Sequence, residues 1–282
     1  MPQLFLFTVG QVVHTLPEGE AVIGVTSLAG EIFLLRRKES DQVEVYDVIT
    51  YRLLRRRTVP DLRFSADMTS CEHFECIYIC DCDGECVHRS TVQATAFTRW
   101  TAKDGPCGLS VNASHNLLVT CRRVCKIKEF SSHGDLLREI SLPNDVIRPW
   151  HAIQTHENEF VVCYGGGGDA VHRVCKISAD GRHIVHSYGG KRGSGYGQFD
   201  GPAHLAVDNN EFVFVLDMHN RRVRLLSPTL GHVRDVESCD KMKWYPDRMW
   251  LDVQRRRLYV SENEWNEVED KYTSGHVVVF SV

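Results

Sequence analysis

Two histidines share one local position: His151 stands two residues after Pro149, and His204 two residues after Pro202. Equal offsets from a chain-directing proline predict equivalent places in a repeated unit, so both imidazoles should face a common centre. Imidazole can ligate a metal or move protons near neutral pH. A catalytic zinc takes three protein ligands and keeps one position open. The matching positions after Pro106 and Pro246 hold Gly108 and Arg248, so a third imidazole is missing and neither a metal nor another cofactor is expected. Cations stand at the same turns: Arg63, Arg148 and Arg248, with Arg222 further on and Trp150 between them. Guanidinium groups beside an aromatic ring suit carboxylate or phosphate, through charge-assisted hydrogen bonds. The expected ligand-binding set is Arg63, Arg148, Trp150, His151, His204, Arg222 and Arg248.

Other motifs carry less chemistry. Cys71, Cys76, Cys80, Cys82 and Cys86 lack the Cys-x-x-Cys knuckle that brings two thiolates to one zinc. They fall within strand-like runs, and packing is their expected role. The run from Gly189 to Gly201 is glycine-rich, but Gly190-Lys191 is followed by Arg192 rather than Ser or Thr, and a strand follows instead of a helix. It reads as a turn rather than a phosphate cradle. No nucleophile elbow, serine triad or paired-carboxylate signature stands out, so catalysis has no positive sequence evidence.

The elements that must position these residues repeat. Pro17, Pro60, Pro106, Pro149, Pro202 and Pro246 each precede a short alternating apolar run, at spacings of 43, 46, 43, 53 and 44 residues. Four short strands with tight turns fill such a period, which is the unit of a propeller blade. The fifth unit shows it best: His204–Val207, Phe212–Asp217, Arg222–Leu226 and a weaker strand near Val233–Val236. No segment keeps the spacing of three and four that a helix needs. The sixth unit ends one strand short, while Leu4–Val13 reads as a strand without a blade. The fold class expected is therefore all-β, a six-bladed β-propeller of four-stranded blades, one domain over 1–282, closed by the N-terminal strand completing the last blade.

The segment from Tyr188 to Pro202, with its Gln198-Phe199, and the Asp217-Met218-His219-Asn220-Arg221-Arg222 turn together resemble an NHL repeat. The other five units keep the strand pattern and lose the motif. The resemblance implies a propeller like that of tripartite-motif proteins, which bind protein or RNA through one face, and an arginine at Arg222 that ties adjacent loops together. Some related propeller lyases hold zinc through channel-facing histidines, so a lyase or hydrolase using His151, His204 and Arg248 is the alternative function.

Charge and composition narrow the partners. The 282 residues carry a net charge of −4, with 43% apolar and 25% charged residues, as in an ordinary globular chain. No overall cationic field exists to hold nucleic acid nonspecifically. Basic loop residues at Arg36, Arg37 and Lys38, Arg122 and Arg123, and Arg221 and Arg222 alternate with acidic loops at Asp81, Asp83 and Glu85 and at Glu262, Glu264, Glu267, Glu269 and Asp270. Such loops are ordinarily solvated rim. A protein or acidic peptide is the expected partner, ahead of single-stranded RNA, because stacking aromatics are not interleaved with the basic loops except near Trp150 and Tyr164. No apolar stretch is long enough to span a bilayer, so no membrane partner is expected. No basic n-region or cleavage site is seen near the N-terminus, and eleven cysteines are an odd number scattered in strands. Reduced, buried thiols and a cytoplasmic protein are expected.

Overall fold

Successive side chains of a strand point to opposite faces, and in this chain both faces are needed. The computed structural model describes residues 11–37, 42–94, 96–166, 168–236 and 242–282. Among them it holds six four-stranded antiparallel sheets and no helix. The protein is a six-bladed β-propeller.

In blades one to five the four strands follow chain order outward from the axis. The innermost strands are Val22–Leu28, Ser65–Cys71, Pro106–Val111, Pro149–Gln154, Pro202–Val207 and Tyr245–Asp252. Those of blades one and two are buried at every residue, because a blade lies against each face. The outermost strands Leu53–Thr58 and Leu136–Ser141 are exposed at most positions, which is why they tolerate Arg55 and Arg56 or Arg138 and Glu139.

The core is correspondingly divided into six apolar clusters, each lying mainly between two neighbouring blades. One joins Phe33, Met68 and Ile79 of blades one and two. The next joins Cys76, Tyr78 and Cys80 to Leu117, Val119 and Cys121 of blades two and three. The thiols Cys71, Cys76 and Cys80 thus pack between blades, as their strand positions imply. All ten described cysteines are free, and all but Cys82 and Cys125 are buried.

Two prolines mislead as markers of blade starts. Pro106, Pro149 and Pro202 open their inner strands, and Pro246 is the second residue of its own. Pro17 and Pro60 instead lie five residues before Val22 and Ser65, in the loops that lead inward.

Closure follows the expected route with a shifted strand. Val12–Thr15 is the outermost strand of blade six and pairs antiparallel with Lys271–Ser281, Val12 opposite Phe280 and Thr15 opposite Val278. Residues 4–10 of the expected Leu4–Val13 strand lie outside the described residues. Side chains fasten the same seam. Asn263 of blade six accepts from the Val22 amide at 2.7 Å and donates to the Val22 carbonyl at 2.9 Å. Arg36 of blade one donates to the Gly275 carbonyl at 2.8 Å.

Deleting residues 1–15 should expose the Lys271–Ser281 edge and lower the melting temperature by on the order of 10 °C, with aggregation on heating. A calorimetric scan matching the full chain would show that the N-terminal strand does not close the ring.

Candidate functional site

Five inner strands begin with the same irregularity. Pairing register slips between Val22 and Gly24, Ser65 and Asp67, Pro106 and Gly108, Pro149 and His151, and Pro202 and His204. In blade six the slip spans Pro246 to Met249 and contains Arg248. A bulge re-aims the side chain that follows it. Six equivalent positions therefore meet around the axis: Gly24, Asp67, Gly108, His151, His204 and Arg248.

Asp67 is the hub of that ring, and it is 1% exposed. His204 Nε2, from the opposite blade, donates to its Oδ1 at 3.3 Å. His151 Nε2 lies 3.7 Å from Oδ2 and donates to the Leu109 carbonyl at 2.9 Å. Arg248 Nε stands 3.4 Å from Oδ1. The Met68 and Leu109 amides donate to the two oxygens at 2.9 and 2.8 Å. Glycine in blades one and three leaves space for these crossings: a Cβ on Gly108 would meet the Trp150 carbonyl oxygen at 2.5 Å.

The ionisation of the hub follows from its partners. Burial opposes the charge on Asp67, but His204, Arg248 and His151 together hold its carboxyl down at about 2. Burial, reinforced by His204, pushes His151 down to about 3, so this imidazole is neutral and the Leu109 contact fixes its proton on Nε2. The two rings stack with centroids 3.9 Å apart. Their Nδ1 atoms are buried without hydrogen-bond partners. Asp67, His151 and His204 also have the ligand types for a metal. Against that use, the Arg248 charge lies against the carboxylate, and His151 Nε2 is a donor.

The structure thus brings together three expected residues, His151, His204 and Arg248, around one that sequence reasoning missed. Aligning blade two on Pro60 puts Leu62 and Arg63 at the axial offset, whereas the inner strand starts at Ser65 and delivers Asp67. Aligning on the strand itself would have found it. Arg63 does not reach the ring. It is exposed, and its backbone amide donates to Asp81 at 3.0 Å.

Above the plug a funnel of about 1210 Å3 opens, floored by Ala66, Cys107, Ala203 and Arg248. Trp150, Arg148 and Arg122 form one wall and Tyr245, Trp265 and Tyr272 lie elsewhere around it. Most of its cations are already engaged. Arg148 pairs with Asp169, Arg123 with Glu85 at 3.1 Å, and Arg248 Nη1 with Asp247 at 2.6 Å, while its Nε and Nη2 donate to the Ala66 carbonyl. Arg122 differs. Its guanidinium lies 3.5 Å over the Trp150 ring, its Nε is buried without a hydrogen-bond partner, and no carboxylate pairs with it among the described residues.

Arg222 belongs to the scaffold. It donates to Asp217 at 2.8 Å, to the Ser194 carbonyl at 2.9 Å and to the Gln198 carbonyl at 3.1 Å. The Asp-x-x-Asn-x-Arg turn thereby binds the glycine-rich segment before its own blade. Two supposed rim charges are also structural. Asp81 and Glu262 are 0% and 2% exposed and occupy the same register position as Asp217, opposite the first or second residue of the inner strand. Asp81 accepts the Arg63, Phe64 and Gly84 amides, and Glu262 those of Lys243 and Trp244.

No family model and no curated protein matches the chain. Solved structures do. Virginiamycin B lyase from Staphylococcus aureus aligns at 9% identity over 94% of this chain and 98% of its own, with a TM-score of 0.60. The β-propeller domain of Cps50 (Swd1) from Myceliophteria thermophila aligns at 12% identity over 96% and 99%, with a TM-score of 0.59. Hydrazine synthase from Kuenenia stuttgartiensis aligns at 14% identity over 89% and 77%, with a TM-score of 0.58. A lyase, a β-propeller domain and a synthase share this architecture, so the likeness establishes the fold alone. Among the described residues no helix is long and apolar enough to cross a membrane.

Acid should destabilise the protein through the hub in two windows. Unfolded His151 takes a proton below its ordinary 6.5, whereas the folded residue resists until about 3. The unfolded state binds more protons there, so stability falls with falling pH. The depressed Asp67 carboxyl adds a contribution present above its ordinary 3.8 and lost as pH drops towards about 2. His151→Gln should flatten the upper window, by roughly 3 kcal/mol near pH 4.5, at about 1.4 kcal/mol per pKa unit. Urea midpoints measured against pH check this, and parallel profiles for both proteins would contradict it. Asp67→Asn, which leaves Arg248 only its Asp247 pair and removes the charge that the histidines and amides face, should cost about 1–3 kcal/mol at neutral pH.

Proposed function

We propose that the chain is a non-catalytic binding scaffold whose funnel receives an acidic segment of a protein partner. The observation that carries this reading is Arg122. Burial acts against its charge and pushes its pKa below the ordinary value, yet among the described residues its neighbours supply a ring face and no carboxylate. A carboxylate from a guest would complete the missing charge-assisted hydrogen bonds, and Trp150 holds the guanidinium plane ready for it. The Asp67 network floors the funnel, which favours an inserted loop or chain end over a threaded polymer.

The resemblance of blade five to NHL repeats supports the same reading, since propellers of that kind in tripartite-motif proteins bind partners through one face. The buried free thiols fit a reducing, cytoplasmic setting. A lyase or hydrolase, as in the staphylococcal enzyme of similar fold, would need a channel imidazole to reach its substrate. His151 is 2% and His204 7% exposed, and both Nε2 protons face partners inside the plug. That commitment supports the scaffold over the enzyme.

Fluorescence anisotropy with labelled acidic peptides should detect binding that Arg122→Ala weakens by about 1–3 kcal/mol, with Trp150→Ala also weaker and neither variant unfolded. Single-stranded RNA serves as the competing probe. RNA binding with a steep loss on added salt would replace the peptide as guest. Equal peptide affinity for the wild type and Arg122→Ala would remove the funnel from the binding surface.

A further inference from the structure

The strand-end position that holds Asp217 in blade five shows what a buried carboxylate there requires. Asp217 faces Arg222, its register partner on the next strand, at 2.8 Å. Arg224, two residues on, lies beside it and pairs with Asp235 at 2.7 Å. In blade two the carboxylate is Asp81, its register partner is Cys86, and two residues on comes His88. The guanidinium groups have been replaced by a thiol and an imidazole, so among the described residues no arginine or lysine pairs with Asp81, although it is as buried as Asp217. Cys86 and His88 are 6% and 1% exposed.

These three side chains converge on a small common volume. Cys86 Sγ lies 3.5 Å from His88 Nε2, His88 Nε2 3.7 Å from Asp81 Oδ2, and Cys86 Sγ 3.9 Å from the same oxygen. Zinc bonds of about 2.0–2.3 Å at tetrahedral angles separate ligand atoms by about 3.4–3.6 Å, within a few tenths of these edges. The carboxylate is already oriented as a ligand should be. Its Oδ1 accepts the Phe64 and Gly84 amides at 3.0 and 2.9 Å, and Oδ2 accepts the Arg63 amide at 3.0 Å and the Cys86 thiol at 3.9 Å. The side of Oδ2 that takes the thiol proton is freed for an ion once that proton leaves. Gly84 is required for this, since a Cβ there would fall 2.1 Å from Oδ2.

The geometry points to a divalent transition-metal site, best suited to zinc, formed by Asp81 Oδ2, Cys86 Sγ and His88 Nε2. The donor set of one thiolate, one imidazole and one carboxylate matches zinc's ligand chemistry. On binding, the thiol proton leaves to solvent, and the thiolate and carboxylate charges together balance the ion. Bound metal would also brace the Arg63–Phe64 backbone, which Asp81 holds, and with it the Phe64 side of the funnel. The site is separate from the Arg122 wall and does not depend on what the funnel binds.

Chelator-stripped protein titrated with Co2+ should bind one equivalent with a thiolate-to-cobalt charge-transfer band and the visible bands of a four-coordinate ion. Cys86→Ser should abolish the charge-transfer band, His88→Gln should weaken affinity at least tenfold, and His204→Gln at the axis should leave the band in place. Zn2+ should raise the melting temperature of the wild type and not of Cys86→Ser. Absence of the band in the wild type, or its survival in Cys86→Ser, overturns the assignment. If Cys86→Ser does not fold, anomalous diffraction at the zinc edge from wild-type crystals soaked in Zn2+ decides. A peak among the three side chains supports the site, and none there removes it.

Discussion

A carboxylate on the axis of the ring is the constraint around which the centre of this protein is arranged. Asp67 has almost no contact with water, and an unpaired charge there would be strongly destabilising. It is therefore met from three other blades, by His204, His151 and Arg248, and by two backbone amides. Those contacts cross the space where a propeller could carry an open channel. They require the two glycines that keep blades one and three out of the way, and they tie opposite sides of a ring whose apolar clusters join only neighbouring blades.

A second carboxylate position organises the rim. Asp81, Asp217 and Glu262 each lie on the second strand of a blade, opposite the start of the innermost strand, and gather the amides of the loop that leads into the blade. What lies opposite varies: Cys86, Arg222 or His276. One backbone geometry thus supports an ion pair in blade five and a soft donor set in blade two. Glu262, whose burial raises its pKa, lies 3.5 Å from His276 in blade six. Local chemistry differs while the frame is constant, which is how a repeat fold acquires individual sites.

The funnel inherits its character from both layers. Its floor is the paired Arg248, and its wall cations are mostly neutralised in place, so little of the positive charge counted in the sequence faces the funnel unpaired. In the proposed scaffold, selectivity would fall on the few groups left without partners. Arg122 on Trp150 is the clearest, with the ring face taking part of the role that an acid plays elsewhere.

The sequence by itself determined the architecture, because blade length, strand alternation and the missing strand of the last unit are local or periodic properties. Val12–Thr15 closes blade six for the reason visible in the chain: a free edge needs a partner. The equal offsets of His151 and His204 from their prolines likewise placed both at the axis. Which residue they would meet was not legible from the proline offsets. Pro60 stands five residues ahead of its strand, and only the paired register of Ser65–Cys71 with Cys76–Asp81 shows that Asp67, and not Arg63, faces inward. Whether a charged loop residue is rim or core was equally undecided. Asp81 and Glu262 read as surface charges until the amides of loops 18 residues away are brought to them, whereas the loop-tying role of Arg222 was already implied by the resemblance to NHL repeats. Partners distant in sequence set burial, ionisation and free valence, so the chemistry of the sites was decided by the tertiary structure.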